Sequence, residues 1–422
     1  MSAAAAGVPP AVRLAELEEL EVTVERLVEG GEGLARFEGI PIFVPRSAPG
    51  DRARVRLVER RPDYGRAEIV ELLTPGPGRR AAPCPYFTRC GGCDLQHLED
   101  EHQTRWKARA VVETLERLAG IAPPARLEIV AGEAWAYRLR TQLHVEARGE
   151  RSAVGYRARR SHELVAVDRC PILVPELEGW LPQLPELLPA AAPKRLDLTV
   201  GGDGALSAAP VVAGLPHGEV AIAVGGSTYA YDARCFFQAH RGLLPALVER
   251  AVGELEGGTA FDLYCGVGLF TLPLGRRYQR VVGVEGDATA ARYARTNARR
   301  NRLPNVEIVS RAVEGWVREL PSGASRVVVD PPRAGLSLTV RRLLLDRLPD
   351  RLTYVSCHAA TLARDLGELK AAYRLESLAL LDLFPQTGHM GTESVFAVAR
   401  SGPVSFTLII ASSNSAVKSF SA

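Results

Sequence analysis

Residues 261–270, Phe261-Asp-Leu-Tyr-Cys-Gly-Val-Gly-Leu-Phe270, set the reading of the whole chain. An apolar run ends in an acid, Gly266 and Gly268 fall two apart, and helical periodicity follows. That is how a first strand hands over to a first helix in a nucleotide-binding α/β unit. Glycine is needed because a Cβ at the turn would hold the backbone away from a ligand, and because glycine takes φ > 0 freely. Residues 280–284 (Arg-Val-Val-Gly-Val) read as a second buried strand ending in Glu285, 23 positions after Asp262, where a carboxylate can accept both hydroxyls of a ribose. Val327-Val-Val-Asp-Pro-Pro-Arg333 is a further strand that stops at an acid and two prolines. The third glycine of the dinucleotide fingerprint is missing, so nothing is placed to cradle a pyrophosphate. The unit suits a nucleoside without phosphates, such as S-adenosylmethionine.

The chain has 422 residues, enough for two to four domains, and 46% hydrophobic content fills several cores. It contains no run of 18 apolar residues and does not open on a basic start followed by an apolar block, which predicts a soluble, cytoplasmic protein with no membrane contact. Net charge is only +3, but its distribution is uneven: residues 46–66 hold seven Arg against three acids, and 138–169 hold eight Arg against four. Seven cysteines, an odd count without an export signal, argue against a disulfide framework and for metal ligation or catalysis.

Residues 1–20 are Ala-rich and read as a flexible N-terminus. From 21 to 75, four or five short alternating runs punctuated by Gly30-Gly31, Gly33 and Pro49-Gly50 predict a small β-barrel. Arg52, Arg54 and Arg56 alternate along one of its strands and so share a face, a possible track for a nucleic-acid backbone. The segment resembles a TRAM domain, an RNA-binding barrel, in Val28-Glu-Gly-Gly-Glu-Gly-Leu-Ala-Arg36 and Pro49-Gly-Asp-Arg-Ala-Arg-Val55. A Pro/Gly linker leads to Cys84, Cys90 and Cys93, three thiols in ten residues, with Cys170 in Asp168-Arg-Cys-Pro171 as the best fourth ligand. Four thiolates fit zinc or an iron-sulfur cluster equally well. A helix over 101–120 with Trp106, Val111, Leu115 and Leu118 on one stripe opens a central β-rich domain spanning 76–240, which includes the cysteine loop. The α/β domain runs over 241–400, and 401–422 reads as a loose tail.

Beyond Asp330 a last buried strand, Leu352-Thr-Tyr-Val-Ser356, delivers Cys357 to the carboxyl edge of the sheet, where ligands bind in open α/β folds. A helix expected from Thr361 onward would point N–H groups at this thiol. A thiolate beside a methyl donor suggests covalent activation of a pyrimidine: addition at C6 makes C5 enolate-like and able to take a methyl group, after which a base removes the C5 proton.

Residues 21–400 resemble the RNA 5-methyluridine methyltransferases, above all the bacterial branch with a TRAM domain and an iron-sulfur cluster that acts on 23S ribosomal RNA. The likeness rests on the cysteine cluster with Gln96-His97, on Phe236-Phe-Gln238, on 262–268, on Asp330-Pro-Pro-Arg333 and on Val355-Ser-Cys-His-Ala-Ala-Thr-Leu-Ala-Arg-Asp365. It implies a Rossmann-like S-adenosylmethionine-dependent methyltransferase domain, a [4Fe-4S] cluster on Cys84, Cys90, Cys93 and Cys170, Cys357 as nucleophile, and Gln238, Tyr264, Glu285 and Asp330 on the cofactor. Glu393 is the implied base, in a monomer whose partner is RNA. Two departures stand out. His358-Ala359 follows the nucleophile where the family has Asn-Pro, and Glu393 lies four residues after His389 where the family's spacing is two or three. Rival readings are a transfer RNA substrate, a cytosine-5 enzyme, an amino-group methyltransferase, and an RNA-binding or redox-sensing protein without turnover. Cytosine-5 enzymes carry a Pro-Cys pair absent from 330–333, and Arg333 stands where amino-methylating enzymes have an aromatic.

Overall fold

Period-two alternation builds the first of two compact units, residues 1–110 with 386–389; the second comprises 111–385 and 390–422. The computed structural model describes residues 14, 17–28, 30–122, 127–149, 151–189, 192–375 and 377–388, and the backbone of strands Phe396–Arg400 and Ile409–Ala411.

In the first unit six strands form one sheet in the order Glu19–Thr23, Arg52–Arg60, Gly65–Thr74, Ile40–Pro45, Glu32–Phe37, Arg26–Val28. The longer strands alternate buried and exposed residues, and Val22, Ala35, Ile42, Val44, Ala53, Val55 and Leu57 meet in the core. Leu14 is buried in that core and Leu17 packs on it, so the expected flexible N-terminus is anchored at these residues. Gly33, expected as punctuation, lies inside a strand, where a Cβ would fall 1.9 Å from Ser47 Oγ. Arg52, Arg54 and Arg56 share the exposed face as alternation requires, but each is paired across the sheet: Arg52 with Glu21 at 2.8 Å, Arg56 with Glu19 at 2.9 Å, and Arg54 with Glu71.

The barrel is joined to the cysteine stretch through Asp51. Its buried carboxylate accepts from the N–H of Ala48 and of Gly76 and from the Arg79 guanidinium at 2.6 and 2.7 Å. The boundary expected between 75 and 76 therefore falls inside this unit, and the cysteine stretch groups with the barrel. The helix over Asp100–Thr114 closes the unit, with Trp106 Nε1 donating to Leu27 O. It runs on as a π-turn, Leu115–Ala119, ended by Gly120 at φ 59°. The wider turn rotates Leu118 off the expected stripe, leaving it 52% exposed and burying Ala119 instead.

The second unit opens with an antiparallel sheet ordered Leu164–Ala166, Arg151–Arg157, Arg140–Arg148, Arg195–Val200, Leu206–Ala209, followed by the hairpin Val220–Val224/Ser227–Tyr231. The α/β sheet has seven strands in the order Val306–Ser310, Tyr278–Glu285, Gly257–Leu263, Arg326–Val329, Leu352–Tyr354, Phe396–Arg400, Tyr373–Leu375. The first five are parallel; Phe396–Arg400 runs antiparallel to both its neighbours. A third sheet pairs Leu378–Asp382 in parallel with Leu127–Ala131 and with Ile409–Ala411, so the expected loose tail contributes a strand. No helix among the described residues is long and apolar enough to cross a membrane.

Candidate active site

The parallel sheet delivers its strand ends in one row. Leu263 lies opposite Val284 on one side and Val329 on the other, and Val329 lies opposite Tyr354. One residue further along each strand come Tyr264, Glu285, Asp330 and Val355, with Cys357 two positions beyond the last. The row is locked by backbone bonds from Asp330 N–H to Leu263 O at 3.2 Å and from Val355 N–H to Val329 O at 2.8 Å. After Gly257–Leu263 the chain adds two strands on one side and then crosses to add Arg326–Val329 on the other. The row therefore spans a topological switch point, where open α/β sheets bind ligands.

The glycine turn behaves as its sequence demands, with Gly266 at φ 55° and Gly268 at φ 97°, and a Cβ on Gly266 would meet open space. Tyr264 also adopts φ 64°, which nothing local announces, and its hydroxyl donates to Glu314 at 2.8 Å. Glu285 is oriented by the turn: Gly266 N–H donates to Oε2 at 2.8 Å and Asp287 N–H to Oε1 at 2.7 Å.

Three carboxyls crowd this edge. Asp262 is fully buried and its pKa is pushed up to about 7, chiefly by burial, with the nearby Glu285 charge adding to it and the bond from Thr271 opposing it. Burial also raises Glu285. Asp330 keeps partial exposure, yet the protein packed around it, and after that the Asp262 charge, raises its pKa well above the usual carboxylate range; a bond from the Gln238 amide opposes the rise. Asp262 Oδ1 is buried and has no hydrogen-bond partner. A partly protonated acidic pocket with an orphaned oxygen fits a ligand bearing positive charge and hydroxyls, as S-adenosylmethionine does with its sulfonium, ammonium and ribose.

Gln238 reaches Asp330 from outside the α/β domain proper, on the segment that follows the hairpin. Phe237 stacks on Tyr231 at 4.5 Å between centroids and holds this segment. Asn297 fixes the hairpin to the glycine turn by donating to Ala230 O and Val267 O, each at 3.0 Å. Nothing in the local pattern of the sequence marks Gln238. Beside it Phe236 is 44% exposed, with the Arg140 guanidinium 5.2 Å over its ring.

Cys357 is 7% exposed. The helix after it spans Ala359–Leu369 and so begins two residues before the expected start. His358 is its N-cap, with Nδ1 accepting from Thr361 N–H at 3.2 Å. An imidazole nitrogen thus caps this helix, a role that asparagine oxygens commonly fill. Asp365, on the same helix, is an unforeseen hub. It accepts from Leu336 N–H at 2.7 Å, Tyr354 Oη at 2.8 Å and Arg341 Nη1 at 3.1 Å, tying the loop after Asp330 to the strand that leads to Cys357. Cys235 and Cys265 are buried; burial pushes the first thiol up to about 12 and raises the second well above its ordinary value, so neither offers a thiolate.

Glu393 and His389 lie outside the described residues. The strand that follows, Phe396–Arg400, begins opposite Tyr354, at the end of its neighbour that leads to Cys357. The expected metal ligands divide between the units, with Cys84, Cys90 and Cys93 in the first and Cys170 in the second. Cys84 N–H donates to Gln96 Oε1 at 3.2 Å, and Gly92 N–H to Cys90 Sγ at 3.4 Å. Among the described residues no three His, Cys, Asp or Glu side chains are grouped to hold a metal ion.

Comparison with known proteins places these features in company. A family described as tRNA (Uracil-5-)-methyltransferase matches residues 219–398, and the TRAM domain matches 14–70. The 23S rRNA (uracil(1939)-C(5))-methyltransferase RlmD of Pectobacterium atrosepticum is 38% identical over 90% of this chain and 94% of its own. The protein of the same name from Photorhabdus laumondii is 32% identical over 90% and 96%. Among solved structures, the Pyrococcus abyssi tRNA (uracil-54, C5)-methyltransferase in complex with S-adenosyl-L-homocysteine superposes with a TM-score of 0.68 at 24% identity. It covers 90% of this chain and 99% of that one, and so shows a shared fold.

Proposed function

Since the chain belongs to the RNA uracil-5-methyltransferase family, we propose that it methylates C5 of a uridine in 23S ribosomal RNA, the one equivalent to uracil 1939 of its relatives, acting as a cytoplasmic monomer. The observation that carries this reading is the row of strand ends that brings Tyr264, Glu285, Asp330 and the Cys357 strand to one sheet edge. Glu285 accepts the ribose hydroxyls, and Tyr264, Asp330 and Gln238 line the rest of the cofactor's place. S-adenosylmethionine supplies the methyl group. Cys357 adds as thiolate to C6 of the uracil, and the electron pair displaced toward C5 takes up the methyl group. Glu393 then removes the C5 proton, the C5–C6 double bond re-forms, and the thiolate leaves. Phe236 and Arg140 offer a stacking face and a positive charge to an extruded nucleotide.

We also propose that Cys84, Cys90, Cys93 and Cys170 hold a [4Fe-4S] cluster. Gly92 N–H already donates to the Cys90 sulfur, which suits cluster ligation, although no grouped metal site stands among the described residues. The cluster would staple the loop, and no step of the reaction passes through it. Anaerobically purified protein should be brown with about four irons per chain; stoichiometric zinc without visible absorbance would overturn the assignment.

The function is tested by mapping 5-methyluridine in ribosomal and transfer RNA from cells with and without the gene. Loss confined to the 23S position is expected; loss confined to transfer RNA would overturn the substrate.

A further inference from the structure

Arg140 opens the strand Arg140–Arg148 of the central sheet. Its backbone is used, since its carbonyl accepts from Arg138 Nε at 2.9 Å. Its side chain is not. A guanidinium carries five N–H donors in a planar fork, and among the described residues those of Arg140 find no hydrogen-bond acceptor and no ion-pair partner, although Nη1 is shut off from solvent. The carboxylate that bears on it most, Asp197, is committed elsewhere: it accepts from Gln142 Nε2 at 2.8 Å and pairs with Arg195 at 3.2 Å. Burial holds the Arg140 pKa below the ordinary arginine value, with the Asp197 charge opposing this and the Arg138 charge adding to it.

Taking a cation out of water without giving it an anion costs folding free energy, and folded proteins ordinarily avoid that cost by pairing the charge. The barrel of this chain follows the rule, for Arg52, Arg54 and Arg56 each face a glutamate. An enclosed guanidinium kept without a partner fits a site whose anion arrives with a ligand.

The backbone ties Arg140 to the reacting edge within the second unit. Residues 137–140 run antiparallel to 238–241: Arg138 bridges to His240, Leu139 N–H donates to Ala239 O at 2.8 Å, and Arg241 N–H donates to Tyr137 O at 2.9 Å. The next pair along is Arg140 with Gln238, whose amide bonds Asp330. The Arg140 guanidinium lies 5.2 Å over the ring of Phe236, which is exposed, two residues before that glutamine. Resting on the reading that a uridine is extruded onto Phe236, we infer that Arg140 holds a backbone phosphate of the RNA, one of the two flanking that uridine.

Phosphate is the one group of RNA with a full negative charge, and its two free oxygens match parallel N–H groups of a guanidinium. Uracil offers only neutral carbonyls, which would leave the charge unbalanced. Because the fork is partly out of water before RNA arrives, it gives up less hydration on binding than an arginine on an open surface does. Such a contact reads no base. It sets the register of the strand, so that the target uridine and not its neighbour is extruded.

The test uses the full-length protein and a synthetic fragment of 23S ribosomal RNA that contains the target uridine. Arg140→Met keeps the bulk and removes the charge. It should weaken RNA binding about 10- to 100-fold and flatten the dependence of log K on log salt by about one. S-adenosylmethionine affinity should stay, and the melting temperature should hold or rise, because an unpaired cation has been removed. Arg140→Lys should restore the salt slope but only part of the affinity, since it lacks the fork. Fragments in which one flanking phosphate is a neutral methylphosphonate supply the second arm: at one position the wild type should lose what Arg140→Met loses, and the variant should lose nothing further. An unchanged salt slope in Arg140→Met would mean that the arginine serves a base carbonyl, and a fall in melting temperature that accounts for the lost binding would make it structural; either sinks the inference. So does a neutral phosphate series that weakens wild type and variant alike. A wild type that leaves the 23S fragment unmethylated defeats the substrate reading instead, and the same series on transfer RNA then decides the role of Arg140.

Discussion

The carboxyl edge of the parallel sheet and the cysteine stretch of the first unit place reactive groups by opposite means. At the edge each group is delivered by its own strand, and the row is set by register between neighbours: Leu263 against Val284 and Val329, Val329 against Tyr354. In the stretch from Cys84 to Leu98 there is almost no ladder to set position. Asp94, Gln96 and Gln103 hold the backbone by side-chain hydrogen bonds, and two of the residues they bond, Gln386 and Gly388, lie nearly 300 positions away. The first design tolerates loss of any one contact because the sheet remains; the second concentrates its order in a few polar side chains.

The largest effect should come from breaking the edge. Cys357→Ala should bind S-adenosylmethionine, form no covalent RNA adduct and transfer no methyl group, since without the thiolate C5 stays a poor nucleophile. Gel analysis of denatured complexes and methyl-transfer assays measure both, and substrate carrying 5-fluorouridine should trap the wild type but not the variant. Retained methylation would show that the edge does other chemistry.

The next effect strikes the other region. Asp51→Ala leaves the Arg79 guanidinium and two N–H groups without their acceptor, and should cost the first unit about 3–5 kcal/mol, read by denaturant unfolding. S-adenosylmethionine binding at the sheet edge should persist. Burial alone would raise the Asp51 pKa, but Arg79 and the N–H donors outweigh it and hold it below the ordinary value. The stability it contributes is therefore present above the unfolded value of 3.8 and is lost as pH falls through the lower folded value. Loss of cofactor binding in step with unfolding would show that the two regions do not fold independently.

These differences also account for what was legible beforehand. Asp262, Glu285, Asp330 and Cys357 could be read from the sequence because each ends an apolar run, and the end of a buried strand in such a sheet has one destination. The strands of the barrel and of the central sheet were legible by alternation, but the grouping of the cysteine stretch with the barrel was not. Its partners, Asp51 and Gln386, carry no periodic signal. Gln238 was reached by likeness alone, Tyr264 entered as a motif residue without hint of its positive φ, and the Asp365 hub was not seen. Leu118 was misread because one extra residue in a π-turn rotates the helix face, which a 3.6-residue period cannot anticipate.

A smaller, graded effect concerns the acids at the edge. The pKa values of Asp262, Glu285 and Asp330 are all raised, first by burial and then by a neighbouring carboxylate, Glu285 for Asp262, Asp287 for Glu285 and Asp262 for Asp330, so a cationic cofactor should lower them and release protons on binding. Affinity for S-adenosylmethionine should climb as pH rises toward 7, by up to about tenfold per pH unit for each proton released. Calorimetry in two buffers of different ionisation enthalpy counts the protons, and S-adenosylhomocysteine, without the sulfonium charge, should release fewer. For the free protein the sign runs the other way. A raised acid contributes stability fully below its unfolded value of 3.8 and loses it as pH climbs through about 7, so Asp262→Asn should flatten that decline. A pH-independent affinity would mean that the carboxyls stay protonated around the bound ligand.

The smallest effect is expected where the sequence promised a large one. Arg52, Arg54 and Arg56 form a basic row along an exposed strand, but Glu21, Glu71 and Glu19 face them from the neighbouring strands, so the row is close to neutral as a surface. An arginine that must leave a carboxylate to reach a phosphate gains little from the exchange, and its departure leaves an anion beside the RNA. Were all three bound to phosphates, replacing them with Ala should flatten the dependence of log K on log salt by about two to three. The pairing predicts a change of less than about one. Each Arg→Ala should also weaken RNA binding less when its Glu partner is replaced together with it, because the stranded carboxylate is then removed. A flattening by the full two to three would place the barrel row on the phosphate backbone after all, and would show that its ion pairs open when RNA binds.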